Sequence, residues 1–294
     1  MRNEPLISII LPTYNGSRFI TQKIESCFSQ THKNWELIIV DDASTDNTPK
    51  ILKQSNLSDP RIHCIRNRAN LKLPASLNVG FTQASGRYLT WTSDDNYYRP
   101  EALKIMVDFL ESHPEIDMVY TDFSIVDEEN KPIKFKKVKH PKKLLNGNCV
   151  GPSFLYRRKV MDVIGPYSED LVLAEDYDYW LRVSTQLRMM PLHKDLYCYR
   201  VHRHSLTSLG LDRRHRMTEK ALARNIPLMR WSSSPEISES YTILSRIALN
   251  QHDWWAVQKY LIKALLNSPA FFFRYSRNVI SRRLKNAFEY CFHS

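Results

Sequence analysis

Over the first 120 residues, short aliphatic and β-branched runs alternate with segments whose apolar residues recur at helical spacing. That alternation limits the fold more than any other feature. Leu6-Ile7-Ser8-Ile9-Ile10-Leu11 is almost uninterrupted, as a parallel strand covered on both faces must be. It stops at the turn cluster Pro12-Thr13-Tyr14-Asn15-Gly16, after which Phe19, Ile20, Ile24, Cys27 and Phe28 mark a helix. A second strand over 36–40 runs into Asp41-Asp42-Ala43-Ser44-Thr45-Asp46, which caps a helix with Pro49 in its first turns. Strands over 61–65, 87–91 and 116–120 alternate with helices over 74–84 and 101–112. The expected fold is α/β, a Rossmann-like, doubly wound, mostly parallel sheet.

After Ile125 the pattern changes. Residues 131–143 are rich in Lys and Pro and read as an exposed hairpin or loop. Strand character returns over 151–156, a helix starts near 174, and a short strand covers 196–202. From about 212 the chain reads almost wholly helical, with Trp254, Trp255, Val257, Tyr260, Leu261, Ala264 and Leu265 at helical spacing. There is no internal repeat and no Gly/Ser linker, so the expected division is one of pattern only: an α/β domain over 1–210 and a C-terminal helical extension over 211–294.

Three acidic pairs stand where strands or loops end: Asp41-Asp42, Asp94-Asp95 and Glu175-Asp176. Asp94-Asp95 lies in Trp91-Thr92-Ser93-Asp94-Asp95-Asn96, and adjacent carboxylates are poor strand material. An isolated Asp-Asp is also what a solvated turn carries. In an open α/β sheet, however, loops at the carboxyl ends of strands line the ligand crevice, and the topology would bring the first two pairs together there. Hard oxygen ligands suit Mg²⁺ or Mn²⁺, ions that usually bridge to phosphates. A net charge of +11 favours anionic partners. Neither GxGxxG nor GxxxxGK[ST] follows the first strand, which removes the main support for dinucleotide and P-loop sites.

Pro12-Thr13-Tyr14-Asn15-Gly16, Val40-Asp41-Asp42-Ala43-Ser44-Thr45-Asp46, Ala75-Ser76-Leu77-Asn78-Val79-Gly80, Thr92-Ser93-Asp94-Asp95 and Ala174-Glu175-Asp176-Tyr177-Asp178 together resemble a family 2 glycosyltransferase with a nucleotide-diphospho-sugar-binding GT-A fold, over about residues 5–206. The resemblance implies that Pro12, Thr13 and Tyr14 line the nucleotide pocket and that Asp42, or Asp41, accepts a hydrogen bond from the base, usually uracil. Ser93 belongs to the same donor site. Asp94 takes the last place of the DxD-type metal motif, and Asp95 shares its load. Asp176 becomes the general base toward the acceptor hydroxyl, with Glu175 orienting or contacting the acceptor. The helix N-terminus under both is expected to keep them ionised.

One departure concerns the metal motif, whose first carboxylate is replaced by Thr92. His202, in Tyr199-Arg200-Val201-His202, resembles the element that completes the metal shell in relatives; a loop histidine fits the same sequence, and His204 is the second choice. Lys72 and Arg68 are placed to pair with phosphates or to remain solvated. Tyr179 and Trp180 are either an acceptor platform or core. The aromatic and basic stretch 271–285 either lies on an anionic membrane or caps the domain.

The activity implied is transfer of a sugar from a nucleotide-diphosphate sugar, usually a UDP-sugar, to a glycan or lipid-linked acceptor, with inversion and with Mg²⁺ or Mn²⁺. Cell-envelope polysaccharide or glycolipid synthesis is the expected setting. Alternatives are a nucleotidyltransferase and a non-catalytic nucleotide-sugar-binding protein. Nucleic acid is not an expected partner, because no recognised motif accompanies the basic charge. Five scattered cysteines without CxxC, no visible signal peptide and no bilayer-spanning run give an expectation of a cytoplasmic protein, with contact at the inner face of the membrane.

Overall fold

The structure is a computed structural model that describes residues 4–203, 205 and 211–275. Strands β1 (Ile7–Thr13), β2 (Trp35–Asp41), β3 (Ile62–Arg66) and β4 (Tyr88–Trp91) are joined through helices α1 (Ile20–Phe28), α2 (Thr48–Ser58) and α3 (Leu73–Gln83). They pair in parallel in the order β3-β2-β1-β4. The chain leaves β1 toward β2 on one side and returns to β4 on the other. The carboxyl end of β1, at Thr13, is therefore a topological switch point, where open α/β sheets hold their ligands.

Beyond β4 come β5 (Tyr97–Tyr98), α4 (Ala102–Ser112), β6 (Met118–Val126), β7 (Pro132–Lys136), β8 (Phe154–Arg157), α5 (Arg158–Ile164), α6 (Glu175–Gln186) and β9 (Met189–Arg200). They extend the sheet as β4-β8-β6-β9-β5, with β7 paired to β6 alone. β8 joins its neighbours antiparallel, whereas β6 and β9 run parallel. The longest pairings are parallel, and the fold class is the expected one.

Both faces of β1 are covered, which explains its nearly unbroken apolar sequence. On one face Ile7, Ile9 and Leu11 pack with Ile20, Ile24 and Cys27 of α1 and with Leu103, Met106 and Leu110 of α4. On the other, α3 approaches so closely that a methyl group at Gly80 would overlap Ile10. Each fully buried aliphatic side chain here contributes about 1.5–3 kcal/mol.

Several elements differ from the sequence expectation. β9 starts at Met189, well before 196, although His193, Lys194 and Asp195 interrupt its apolar character. Its first half pairs only with β6, and His193 and Lys194 there are exposed, where polar residues cost little. β5 has two residues and α5 seven, too short to leave a periodic signature. Residues 131–143 contain β7, an edge hairpin strand exposed along its whole length. Tyr179 and Trp180 are core: both are fully buried, Tyr179 stacked on Tyr167 and Trp180 edge-on to Phe154.

The chain divides into two compact units, Met1–Ala221 and Leu222–Ser294, the division falling within α7 (Leu211–Asn225). In the second unit α8 (Ser234–Asn250) packs on α9 (Trp254–Asn267) through Leu244, Ala248, Ala256, Tyr260 and Ala264. The Ser238 hydroxyl donates to the Ala264 carbonyl at 2.8 Å, and a Ser233–Glu236 capping box starts α8. No described helix is long and apolar enough to cross a membrane. His204 and the basic part of the tail, from Ser276 onward, lie outside the described residues.

Candidate active site

Three loops meet at the switch point. The Thr13 hydroxyl donates to Asp94 Oδ2, and the Thr13 carbonyl accepts the Asp42 amide at 2.8 Å. Asn15 Oδ1 accepts the Thr45 amide at 2.8 Å, locking the turn after β1 to the turn after β2. Of the six non-glycine residues with positive φ among the described residues, Asn15, Ala43 and Lys72 border this region and Leu173 precedes Glu175. Such backbone costs about 1–3 kcal/mol per residue and persists where its surroundings over-determine it. Here the clasps are visible: Asp42 Oδ2 takes the Lys72 amide at 2.9 Å, and Glu175 Oε2 takes the Leu173 amide at 2.7 Å.

The two carboxylates after β2 are both engaged. Asp41 accepts from Arg66 and from the Ser44 amide. Asp42 Oδ1 accepts the Asn67 amide group and the Leu71 amide, each at 2.8 Å. With about four lone-pair directions on a carboxylate, Asp42 keeps capacity on Oδ2 for one more donor. Pro12 is buried in β1, Tyr14 is exposed, Ser93 is half-buried and accepts from Asn96, and the Lys72 side chain is exposed.

The loop after β4 separates Asp94 from Asp95. Asp94 faces Thr13 and Gly16; loss of water, reinforced by the Asp95 charge, pushes its carboxyl up to about 7. Asp95 turns toward His202, Oδ2 to Nε2 at 3.0 Å, while its Oδ1 is buried with no hydrogen-bond partner among the described residues. Thr92, which stands where the metal motif has its first carboxylate, points into the core and shares a 2.6 Å hydrogen bond with the Tyr197 hydroxyl. A carboxylate there would be buried beneath the site.

An orphaned buried carboxylate oxygen beside an imidazole is a donor set that fits a divalent cation. No three His, Cys, Asp or Glu side chains converge on one point among the described residues. An ion there would take its remaining oxygens from phosphate and water, the usual habit of Mg²⁺.

Two residues at this end of the sheet escape a first reading of the sequence. Lys23 is buried on α1 with its ammonium 3.8 Å from the Tyr98 ring centroid, and burial lowers it to about 8 against the holding charges of Cys27, Asp95 and Asp94. It stands three residues after Ile20 and four before Cys27, on the apolar face, and a cation at such a position is the available signal. Arg200 is buried too; it donates to Gln22 and Asn130 at 2.6 Å, and its amide donates to Asn96 at 2.7 Å, which braces the loop carrying Asp95. No periodicity distinguishes Arg200.

Glu175 and Asp176 open α6. Asp176 accepts the Asn148 side-chain amide at 2.8 Å. The Tyr167 hydroxyl accepts from Trp91 Nε1 at 2.9 Å and feels the Asp176 charge, which ties this pair to the end of β4. The expectation that the helix N-terminus keeps the carboxylates ionised is corrected for Glu175, which burial, together with the Asp176 charge, pushes up to about 8; burial also raises Asp176.

The glycosyl transferase family 2 model matches residues 8–165, over half of the chain. The chain belongs to glycosyl transferase family 2. It is 42% identical over 130 residues to the putative glycosyltransferase EpsE of Bacillus subtilis, covering 44% of this chain and 46% of that protein, so it spans less than half the length of that relative. In three dimensions it resembles S. aureus TarS 1-349 in complex with UDP, with a TM-score of 0.62, 22% identity, and 84% of this chain and 71% of that one covered. It also resembles the mannosyltransferase PcManGT from Pyrobaculum calidifontis in complex with GDP-Man and Mn²⁺, with a TM-score of 0.63, 17% identity, and coverage of 95% and 81%. These likenesses give the fold: family 2 sequence motifs sit on a GT-A sheet with a C-terminal helical region.

Proposed function

We propose that this family 2 chain transfers a sugar from a nucleotide-diphosphate sugar to an acceptor hydroxyl with inversion. The observation that carries the reading is the meeting of Thr13, Asp42 and Asp94 at the switch point of the sheet, with Asp95 and His202 paired in the adjoining loop. Asp42, with its spare acceptor capacity, reads the base, and the Lys72 ammonium lies free to meet phosphate. Asp95 and His202 hold Mg²⁺ or Mn²⁺, with Asp94 alongside. The ion would supply charge stabilisation for the departing diphosphate. The TarS and PcManGT complexes, with UDP and with GDP-Man and Mn²⁺, support this donor class.

In the transfer step the acceptor oxygen bonds to the anomeric carbon as the carbon–oxygen bond to the diphosphate breaks. The bonding pair leaves with the nucleoside diphosphate, and the acceptor proton passes to Asp176. Burial raises the Asp176 carboxyl above its ordinary value, which makes the carboxylate a stronger base. Glu175, buried and accepting the Leu173 amide, fixes the turn that leads into Asp176. The acceptor is a glycan or lipid-linked saccharide of the cell envelope, met at the inner face of the membrane.

Thermal melting with UDP-, GDP- and dTDP-sugars, with Mn²⁺ or with chelator, tests the donor reading. One donor family should raise Tm with Mn²⁺ beyond the others at equal concentration. No shift from any nucleotide would overturn it.

A further inference from the structure

We propose that the hairpin strand β7 and the turn that follows it form a docking surface for an anionic lipid bilayer. β7 is an edge strand paired only with β6, and all five of its residues are exposed. Ile133 is 60% and Phe135 54% exposed; as alternate residues of a strand they share one face. Around them stand seven exposed lysines between 131 and 143, and no acidic residue occurs in that interval. None of the seven has an ion-pair partner among the described residues.

Lysines on an edge strand deter pairing with other strands, which accounts for Lys134 and Lys136. It does not account for two large apolar side chains held in water beside them. An anionic bilayer satisfies both: headgroup charge attracts the lysines, and Ile133 and Phe135 enter the interface.

The surface is fixed to the candidate site. The Val138 amide donates to Asp122 at 2.8 Å, the Tyr177 hydroxyl to the Leu144 carbonyl at 2.6 Å, and Asn148 to Asp176 at 2.8 Å. A bilayer bound at β7 would therefore present lipid-linked hydroxyls on the side where Asp176 stands. This deepens the membrane-side reading of the acceptor and rests on it. Vesicle binding needs no transfer, so its failure and a failure of the transfer reading are separable.

The test is co-sedimentation of the full chain with phosphatidylcholine vesicles, with and without phosphatidylglycerol, at low and high salt. The tail beyond Tyr275 is basic as well, so variants decide. Ile133→Ser/Phe135→Ser and Lys134→Glu/Lys136→Glu/Lys137→Glu should each weaken binding to the anionic vesicles at least about tenfold, and salt should weaken wild-type binding. Phe135→Trp should retain binding and shift its fluorescence to the blue with anionic vesicles, a readout independent of how the polar variants fold. Wild-type binding in either polar variant, or no blue shift, would overturn the proposal. So would tight binding to soluble polyphosphate that the Ile133/Phe135 variant leaves unchanged, which would assign the ribbon to an anionic polymer.

Discussion

Asp95 and His202 meet at 3.0 Å although 107 residues separate them, one in the loop after β4 and the other just past the end of β9. Asp94, the neighbouring carboxylate, is turned away to Thr13. If the ion is held by the first pair, Asp95→Asn and His202→Ala should each weaken Mn²⁺-dependent nucleotide binding at least about tenfold, or about 1.4 kcal/mol. Asp94→Asn, which can still accept from Thr13, should lose less. Calorimetry of UDP and GDP with and without Mn²⁺ reads all three; a larger loss for Asp94→Asn would move the metal site to Asp94.

Gly16 is needed for space. A methyl there would overlap both Asp94 Oδ2 and Thr13 Oγ1. Gly16→Ala should break the Thr13–Asp94 hydrogen bond and weaken donor binding several-fold, with a stability cost of about 1–3 kcal/mol from overpacking. Denaturant unfolding together with nucleotide titration measures both effects. Wild-type donor affinity in a folded Gly16→Ala protein would mean that Asp94 need not sit where it does.

The buried Glu175 makes stability depend on pH in a defined direction. Its folded-state pKa is raised to about 8 from the ordinary value of 4.5. The folded chain therefore keeps a proton that the unfolded chain releases, and stability falls as pH rises from about 4.5 to about 8. Glu175→Gln removes that dependence and should stabilise the protein at pH 8 and above by on the order of 1 kcal/mol or more. Melting curves of the two proteins across this range check it; parallel curves would contradict it.

Asp176→Asn keeps the shape and one acceptor oxygen, for Asn148 or for the Tyr177 amide, but removes the base. Transfer should fall by about 10²–10⁴-fold while donor binding stays near normal. With a competent acceptor, a wild-type rate in this variant would remove Asp176 from the chemistry.

The parallel half of the sheet was legible because strands buried on both faces must be largely apolar, and β1 and β2 are, with Ser8 and Glu36 the interior exceptions. The loops bearing Asp42 and Asp94 were legible because charge cannot continue such strands, and Asp176 because it stands at a helix start. The direction each carboxylate faces was not. One residue separates Asp94, held by Thr13, from Asp95, held by His202, and only the backbone course of the loop decides between them. Thr92 reads as a loss from the metal motif, yet its side chain belongs to the core with Tyr197. The short strand β5, and β9 with its polar first half, carry too little pattern to be read before folding.

The most direct measurement is release of free nucleoside diphosphate from a panel of UDP-, GDP- and dTDP-sugars by the full chain with Mn²⁺ or Mg²⁺, repeated with Asp95→Asn and Asp176→Asn. The account predicts turnover of one donor family, abolished by chelator, and loss of that turnover in both variants. Turnover indifferent to the metal and to both substitutions, or no turnover of any nucleotide sugar with a broad set of saccharide acceptors, would contradict it.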